Sequence, residues 1–171
     1  PELAGHDFED ICDQYGCSPL EAISMLAPAG ALYFIMSEND VRRVLAYPRT
    51  MIGSDGLPFD EMPHPRLWGA FPHVLGRYVR ECKLFTLEEA VHRMTGLPAK
   101  TFGIVERGEI RRGNFADLVL FDSGTIADAS SGFCGKSPAK GIERVWVNGV
   151  PVWSNGLAAG NFPGVAIFRN G

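Results

Sequence analysis

The chain has few of the side chains that bind transition metals, and none of them are paired. Its 171 residues include four histidines and four cysteines, the latter at positions 12, 17, 82 and 134. They form no Cys-x-x-Cys or His-x-His pair. The chain therefore cannot by itself build a three-ligand catalytic zinc site. We interpret the cysteines as free thiols of a protein in the reducing cytoplasm.

Long hydrophobic runs and an excess of basic residues are also missing. No run of 18 apolar residues exists, so we expect no transmembrane helix and no membrane partner. The net charge of −4 and pI of about 5.6 argue against a nucleic-acid surface. The N-terminus has neither the basic start nor the apolar stretch of a signal peptide, and it has no initiator Met. We therefore expect a trimmed chain or a fragment.

The first hundred residues have the alternation that is typical of an α/β fold. Hydrophobic residues make up 46% of the chain, which suits a soluble globular protein. The apolar run 31–36 predicts a strand buried on both faces, followed by a helix over 41–46 and a short strand over 50–52. Strand–helix–strand order predicts parallel strands joined by a right-handed crossover. Further predicted helices cover 6–15, 19–27, 75–83 and 86–96, and a long loop covers 56–72.

The last third of the chain has a different pattern and is predicted to be all β. We expect strands over 116–121, 144–147 and 150–153. Asn148 and Gly149 between the last two predict a two-residue hairpin with a type I′ turn. We place a domain boundary near residue 105, with one domain over 1–105 and the other over 106–171. Three or four strands cannot close a sandwich alone, so the second domain needs further strands from elsewhere.

Asp55 is the first candidate for chemistry. It follows the short strand 50–52 in a turn flanked by Gly53 and Gly56. Reactive groups of a β/α barrel surround the C-terminal ends of its strands. There a carboxylate can deprotonate a metal-activated water and pass the proton to a leaving amine. The alternative is structural, an Asx-turn that closes the Ser-Asp-Gly bend.

Arg66 is the second candidate and lies in the stretch His64-Pro65-Arg66. Its planar guanidinium matches the geometry of a substrate carboxylate. The alternative is a loop arginine paired with Asp60 or Glu61. For His64, we favour a residue that caps the loop over one that binds substrate.

The chain resembles the N-acyl-D-amino-acid deacylases (D-aminoacylases) of the amidohydrolase superfamily over essentially its whole length. The stretches specific to the deacylases are Ile52-Gly53-Ser54-Asp55-Gly56-Leu57-Pro58, His64-Pro65-Arg66 and Trp68-Gly69. Signals shared more widely among amidohydrolases are Gly113-Asn114-Phe115-Ala116-Asp117-Leu118 and Val147-Asn148-Gly149.

That resemblance implies a fold and a set of roles. The chain would be the C-terminal part of a metal-dependent (β/α)₈ amidohydrolase barrel, followed by strands of a small β-sandwich domain. Asp55 matches the catalytic aspartate, which also touches the metal, and Arg66 matches an arginine that binds the substrate α-carboxylate. Zinc is the implied cofactor, with the other ligands upstream of this chain. The residue that reads the D-side chain is also expected upstream.

The implied function is hydrolysis of an N-acyl-D-amino acid to a carboxylate and a free D-amino acid. One alternative is another amidohydrolase, dihydropyrimidinase-like or dipeptidase-like. The other is a non-catalytic fragment that needs a partner to complete the barrel. We expect the isolated 171-residue chain to be inactive, to require the N-terminal part of the same enzyme, and to expose an apolar face that promotes self-association.

Overall fold

The computed structural model describes residues 3–58, 63–130 and 136–168. Within these ranges a helical part precedes a small antiparallel sheet. The helices are α1 (Phe8–Tyr15), α2 (Pro19–Leu26), α3 (Glu38–Ala46), α4 (Arg66–His73), a π-helix called π1 (Val74–Glu81), α5 (Leu87–Met94) and α6 (Gly96–Phe102). The strands are β1 (Leu118–Phe121), β2 (Ile142–Val147), β3 (Val150–Ser154) and β4 (Leu157–Ala158).

Local capping signals define the helix starts that the sequence predicts. Ser18 and Glu21 form a capping box at α2, in which the Ser18 N–H donates to the Glu21 carboxylate at 2.8 Å. Thr86 and Glu89 form the same motif at α5, with a 2.9 Å bond from the Thr86 N–H. These reciprocal bonds satisfy N–H groups that lack a partner inside the helix. The predicted starts of α2 and α5 are therefore confirmed.

The predicted long loop over 56–72 was wrong in its second half. Residues from Arg66 onward form α4, which continues directly into π1. Gly69 and Pro72 read as loop residues in the sequence, yet both are buried in the structure. A Cβ added to Gly69 would lie 3.0 Å from the Asp128 Cβ, a tight contact that would require the neighbouring residue to shift. Tertiary packing thus overrides the loop signal.

The two predicted parallel strands, 31–36 and 50–52, do not form ladders in the described residues. Both segments lack strand hydrogen-bonding, and the first is solvent-exposed, with Phe34 at 93% and Ile35 at 85% exposure. A strand of a parallel sheet needs a neighbour to pair its backbone groups, and the described residues provide none to this segment. The apolar run is therefore present without the sheet that it is suited to join.

The core lies between the helical part and the loop before β2. Six buried residues form it: Val74, Leu75, Tyr78, Phe85, Ala90 and Ile126. Ile126 is 2% exposed and brings the sheet side of the chain against π1. Ile52 and Leu45 pack on the rim of this cluster. The core therefore also anchors the segment that leads to Asp55.

The sheet is a four-stranded antiparallel meander in the order β1-β2-β3-β4. Asn148 and Gly149 have φ of 50° and 79°, which confirms the predicted type I′ turn. β3 lies between two strands rather than at the edge that Pro151 suggests. However, β4 pairs only with Trp153 and Ser154, so Pro151 needs no partner on that side. The division into two domains near residue 105 stays a prediction.

No helix among the described residues is long and apolar enough to cross a membrane.

A polar cluster joins the loop before β1 to the hairpin turn. The Arg107 side chain is 10% exposed and contacts Asp117, and its Nη2 donates to the Asn148 Oδ1 at 2.6 Å. The Asn148 N–H donates to Asp117 at 2.8 Å, and the guanidinium lies 4.2 Å from the Phe115 ring centroid. Burial would raise the pKa of Asp117, but the Asn148 N–H and the Arg107 guanidinium outweigh it and lower that pKa.

We expect acid to weaken the fold through Asp117. Its lowered pKa stabilises the folded state above the ordinary value of 3.8, and this contribution is lost as the pH falls through the folded pKa. Asp117→Asn should lower the free energy of unfolding by about 1 kcal/mol at pH 7, and by less near pH 3. Urea denaturation at both pH values measures this.

Glu109→Gln is the matched control, because Glu109 forms an exposed ion pair with Arg111 at 3.1 Å. Its effect should be small at both pH values. If Asp117→Asn lowered stability equally at pH 7 and pH 3, the assigned contribution of the charge would be wrong.

Candidate active site

The segment that carries Asp55 leaves the core at Ile52. The Ile52 N–H donates to the Arg93 carbonyl of α5 at 3.2 Å. Three residues later, Asp55 has a φ of 47°, a left-handed conformation that aspartate tolerates better than most residues. The turn's own hydrogen bond runs from the Gly56 N–H to the Ser54 hydroxyl at 3.4 Å. The Asp55 side chain is therefore free of the bend and projects outward.

Asp55 and Arg66 form an ion pair. The Arg66 Nη2 lies 2.9 Å from the Asp55 Oδ2. The two side chains are 80% and 42% exposed, for Asp55 and Arg66 respectively. The structure thus brings together the two site residues that the sequence singles out. The alternative partners of Arg66, at positions 60 and 61, lie outside the described residues.

Close packing between Gly56 and Leu67 brings the two segments together. A Cβ added to Gly56 would lie 2.7 Å from the Leu67 Cα and 2.6 Å from its Cδ1. Contacts this short do not occur with real Cβ atoms, so the approach depends on glycine. Since Leu67 follows Arg66 in α4, this contact places the guanidinium beside the Asp55 turn.

His64 accepts a hydrogen bond at the start of the same helix, α4. The Arg66 N–H donates to the His64 Nδ1 at 3.1 Å, as expected for a residue that caps the loop. Because a backbone N–H can only donate, Nδ1 is the acceptor and the proton of the neutral ring is on Nε2. Burial lowers the pKa of His64, and the Arg66 charge lowers it further, while Asp55 partly opposes them. His64 is thus a neutral imidazole beside the ion pair at neutral pH.

The described residues do not hold a metal by themselves. No group of three or more His, Cys, Asp or Glu side chains able to bind a metal ion occurs within 3–58, 63–130 and 136–168. The free cysteines are Cys12, Cys17 and Cys82. None of them belongs to the Asp55–Arg66 ion pair. Position 134 lies outside the described residues. The described residues alone therefore do not complete a three-ligand metal site.

Arg93 is a residue near the site that sequence reasoning missed. Its side chain is buried at 7% exposure, and it contacts the chain that precedes Asp55. One signal was available in the sequence. Arg93 follows Ala90 by three residues, so it lies on the apolar face of α5 rather than on the solvent side.

Comparisons with known proteins show what the chain as a whole is similar to. The model of the Amidohydrolase family matches residues 22–153. The chain is 50% identical to a D-aminoacylase of Alcaligenes xylosoxydans xylosoxydans over 169 residues, 99% of this chain and 35% of that protein.

Two solved structures are similar as well. A D-aminoacylase studied for its binuclear metal center aligns with a TM-score of 0.88 and 52% identity, over 94% of this chain and 34% of that chain. An N-acyl-D-glutamate deacylase from Bordetella bronchiseptica, in complex with zinc and a phosphonate mimic of the tetrahedral intermediate, aligns with a TM-score of 0.87 and 50% identity, over 92% of this chain and 33% of that chain.

The chain spans about a third of the length of the relatives it matches. The predicted fold class, part of an amidohydrolase barrel with strands of a small β domain, is confirmed by these similarities. They also give the reason why segment 31–36 is unpaired, since two thirds of such a fold lie outside the chain.

We expect Gly56→Ala to disturb the site while Gly53→Ala does not. The added methyl at Gly56 meets the Leu67 backbone, whereas a Cβ at Gly53 meets nothing within 4 Å. Gly56→Ala should lower the free energy of unfolding by about 1–3 kcal/mol. Gly53→Ala should be close to neutral. Thermal unfolding of both variants provides the test, and equal melting temperatures would contradict the close approach.

Proposed function

This chain belongs to the Amidohydrolase family, and from that premise we propose that the protein it forms part of hydrolyses N-acyl-D-amino acids. The reaction cleaves the amide bond with water and releases a carboxylate and a free D-amino acid. The observation that carries the proposal is the pairing of Asp55 and Arg66 at 2.9 Å. It supplies a proton acceptor beside a cation that fits the carboxylate of an amino acid. Relatives at about 50% identity, with D-aminoacylase and deacylase activities in their names, support the substrate class.

In this proposal Asp55 is the general base and general acid. Carboxylate oxygens accept protons, and the 80% exposure of Asp55 leaves it accessible to water and substrate. It takes the proton of the attacking water and returns it to the nitrogen of the leaving amine. The ion pair with Arg66 involves Oδ2, so Oδ1 is the oxygen left for this exchange.

Arg66 binds the α-carboxylate of the substrate in this proposal. The ion pair with Asp55 involves Nη2, while a guanidinium has five N–H donors. Arg66 can therefore bind a second carboxylate without leaving Asp55. A guanidinium held at the start of α4 by Leu67 and His64 fixes the substrate's orientation before reaction, and that orientation selects one enantiomer.

A bound metal, zinc by analogy with the deacylase complex, supplies the activation of water in such enzymes. Because the described residues contain no group of three or more ligands for a metal ion, further ligands would come from the part of the enzyme outside this chain. We propose that the chain is active only together with that part. The exposed run at 31–36 supports this, since it has the composition of a buried strand.

Two finer points belong to the same proposal. The exposed apolar side chains of 31–36 favour self-association of the isolated chain, and gel filtration across a concentration series measures it. The three described cysteines are unpaired, which supports a cytoplasmic location.

Asp55→Asn in the full-length protein should reduce kcat on an N-acetyl-D-amino acid by at least about 100-fold, because an amide cannot accept the proton. The fold should be retained, since the lost ion pair is exposed and contributes about 1 kcal/mol at most. Glu81→Gln is the matched control, because Glu81 forms an ion pair with Arg77 at 2.9 Å and 53% exposure. Near-normal turnover of Asp55→Asn would exclude the assigned role.

Arg66→Ala should mainly raise KM, by roughly 10-fold or more, because a charge-assisted hydrogen bond to the substrate carboxylate is lost. A substrate analogue whose α-carboxylate is converted to an amide should be hydrolysed equally by both forms. Arg77→Ala removes a comparable exposed arginine, 45% exposed in its ion pair, and should leave KM unchanged. The proposed carboxylate contact is wrong if Arg66→Ala has the wild-type KM.

A further inference from the structure

Arg93 is a buried arginine that binds main-chain carbonyls. Its Nη1 donates to the Leu45 carbonyl at 2.6 Å and to the Tyr47 carbonyl at 2.8 Å. Its guanidinium carbon lies 5.1 Å from the Phe85 ring centroid. These carbonyls are at the end of α3, where backbone acceptors have no partner in the helix and a cation is favoured. The Arg93 side chain thus joins α5 to the end of α3.

The main chain of Arg93 holds the other end of the same segment. Its carbonyl accepts the Ile52 N–H at 3.2 Å. Between the two attachment points the chain is bent back on itself, with the Thr50 hydroxyl donating to the Val44 carbonyl at 2.6 Å. Arg93 therefore holds segment 45–52 at both ends, with its side chain at the start and its main-chain carbonyl at the end.

We infer that Arg93 is a positioning residue for Asp55, an inference that rests on the proposed function. Asp55 lies three residues beyond Ile52, so the segment held by Arg93 leads directly into its turn. A shift of the segment by about 1 Å moves the carboxylate by a similar distance, and such displacements reduce catalysis by large factors. Loss of the guanidinium removes the donor to the Leu45 carbonyl and leaves the Tyr47 carbonyl with only the Thr50 N–H at 3.0 Å, so the segment loses its attachment to the side chain of α5.

Because Arg93 supports the Asp55 segment and not Arg66, the effect of its loss on proton transfer can be distinguished from an effect on substrate binding. Arg66 lies in α4 and is placed by Leu67 and His64, whereas the side-chain hydrogen bonds of Arg93 go to Leu45 and Tyr47. Loosening segment 45–52 should therefore disturb proton transfer by Asp55 while the carboxylate contact of Arg66 is kept. The expected signature is a lower kcat per folded molecule with an unchanged KM, whereas a general loss of stability reduces only the amount of folded enzyme.

The test uses the full-length protein with Arg93→Met, which removes the donors but keeps the length and the apolar stem. The activity of the folded fraction is measured on an N-acetyl-D-amino acid. We expect kcat to fall at least tenfold with KM within twofold of wild type. Arg93→Lys keeps the charge without the planar fork and should recover part of kcat.

Arg80→Met is the matched control. Arg80 also donates from Nη1 to two carbonyls, those of Ile126 at 2.6 Å and Ser123 at 3.4 Å, but on the side of π1 that faces the sheet. Its kcat should stay within twofold of wild type. Hydrogen exchange of the amides of 50–56, measured by mass spectrometry, gives a second readout and should speed up in Arg93→Met but not in Arg80→Met.

Two results would overturn the inference. One is a wild-type kcat in folded Arg93→Met, even with a lower melting temperature. The other is unchanged exchange of the amides of 50–56. If Arg93→Met does not fold, Arg93→Lys decides, and a wild-type kcat there excludes the role. A wild-type protein without deacylase activity would instead overturn the proposed function. In that case the hydrogen-exchange comparison would still test whether Arg93 holds segment 45–52 in place.

Discussion

The packing of π1 and α5 against Ile126 is the contact on which the rest of the described structure depends. Ile126 lies in the loop between β1 and β2, so its burial joins the sheet to the helices. Ile52 and Leu45 pack on the same cluster, so it also supports the path of the chain towards Asp55. Burial of such side chains contributes about 1.5–3 kcal/mol each, more than any surface contact can. The site is thus built on a core that takes no part in its chemistry.

The ion pair of the site contributes much less to stability than the contacts that position it. Asp55 is 80% exposed, and an exposed pair of this kind is worth about 1 kcal/mol or less. Contacts made by neighbouring residues set the geometry of the pair: the close approach of Gly56 to Leu67 and the hydrogen bond of the Ile52 N–H. This arrangement suits a site for chemistry, since a base must stay accessible while its support stays rigid. The same separation explains why Asp55→Asn is expected to lose activity and keep its fold.

The most exposed apolar segment of the chain is also informative. Phe34 and Ile35 are almost fully exposed, although their composition is that of a strand inside a parallel sheet. The chain spans about a third of its relatives, and the described residues contain no strand that pairs with this segment. The pattern and the structure therefore agree, because a strand exists only when neighbouring strands pair with it. The proposed dependence on the preceding part of the enzyme follows from this constraint.

The sequence by itself determined the local features and singled out the candidate site residues. Capping boxes at Ser18 and Thr86 and the Asn148-Gly149 turn depend on a few neighbouring residues, so they were predicted correctly. Asp55 and Arg66 were recognised from their residue types and from the resemblance of their motif. Only the tertiary structure decided that residues 66–73 form a helix, because buried contacts of Gly69 and Pro72 outweigh their loop propensity. It alone placed Arg93 beside the carbonyls of α3, since residues 46 or 48 positions apart meet only through the fold.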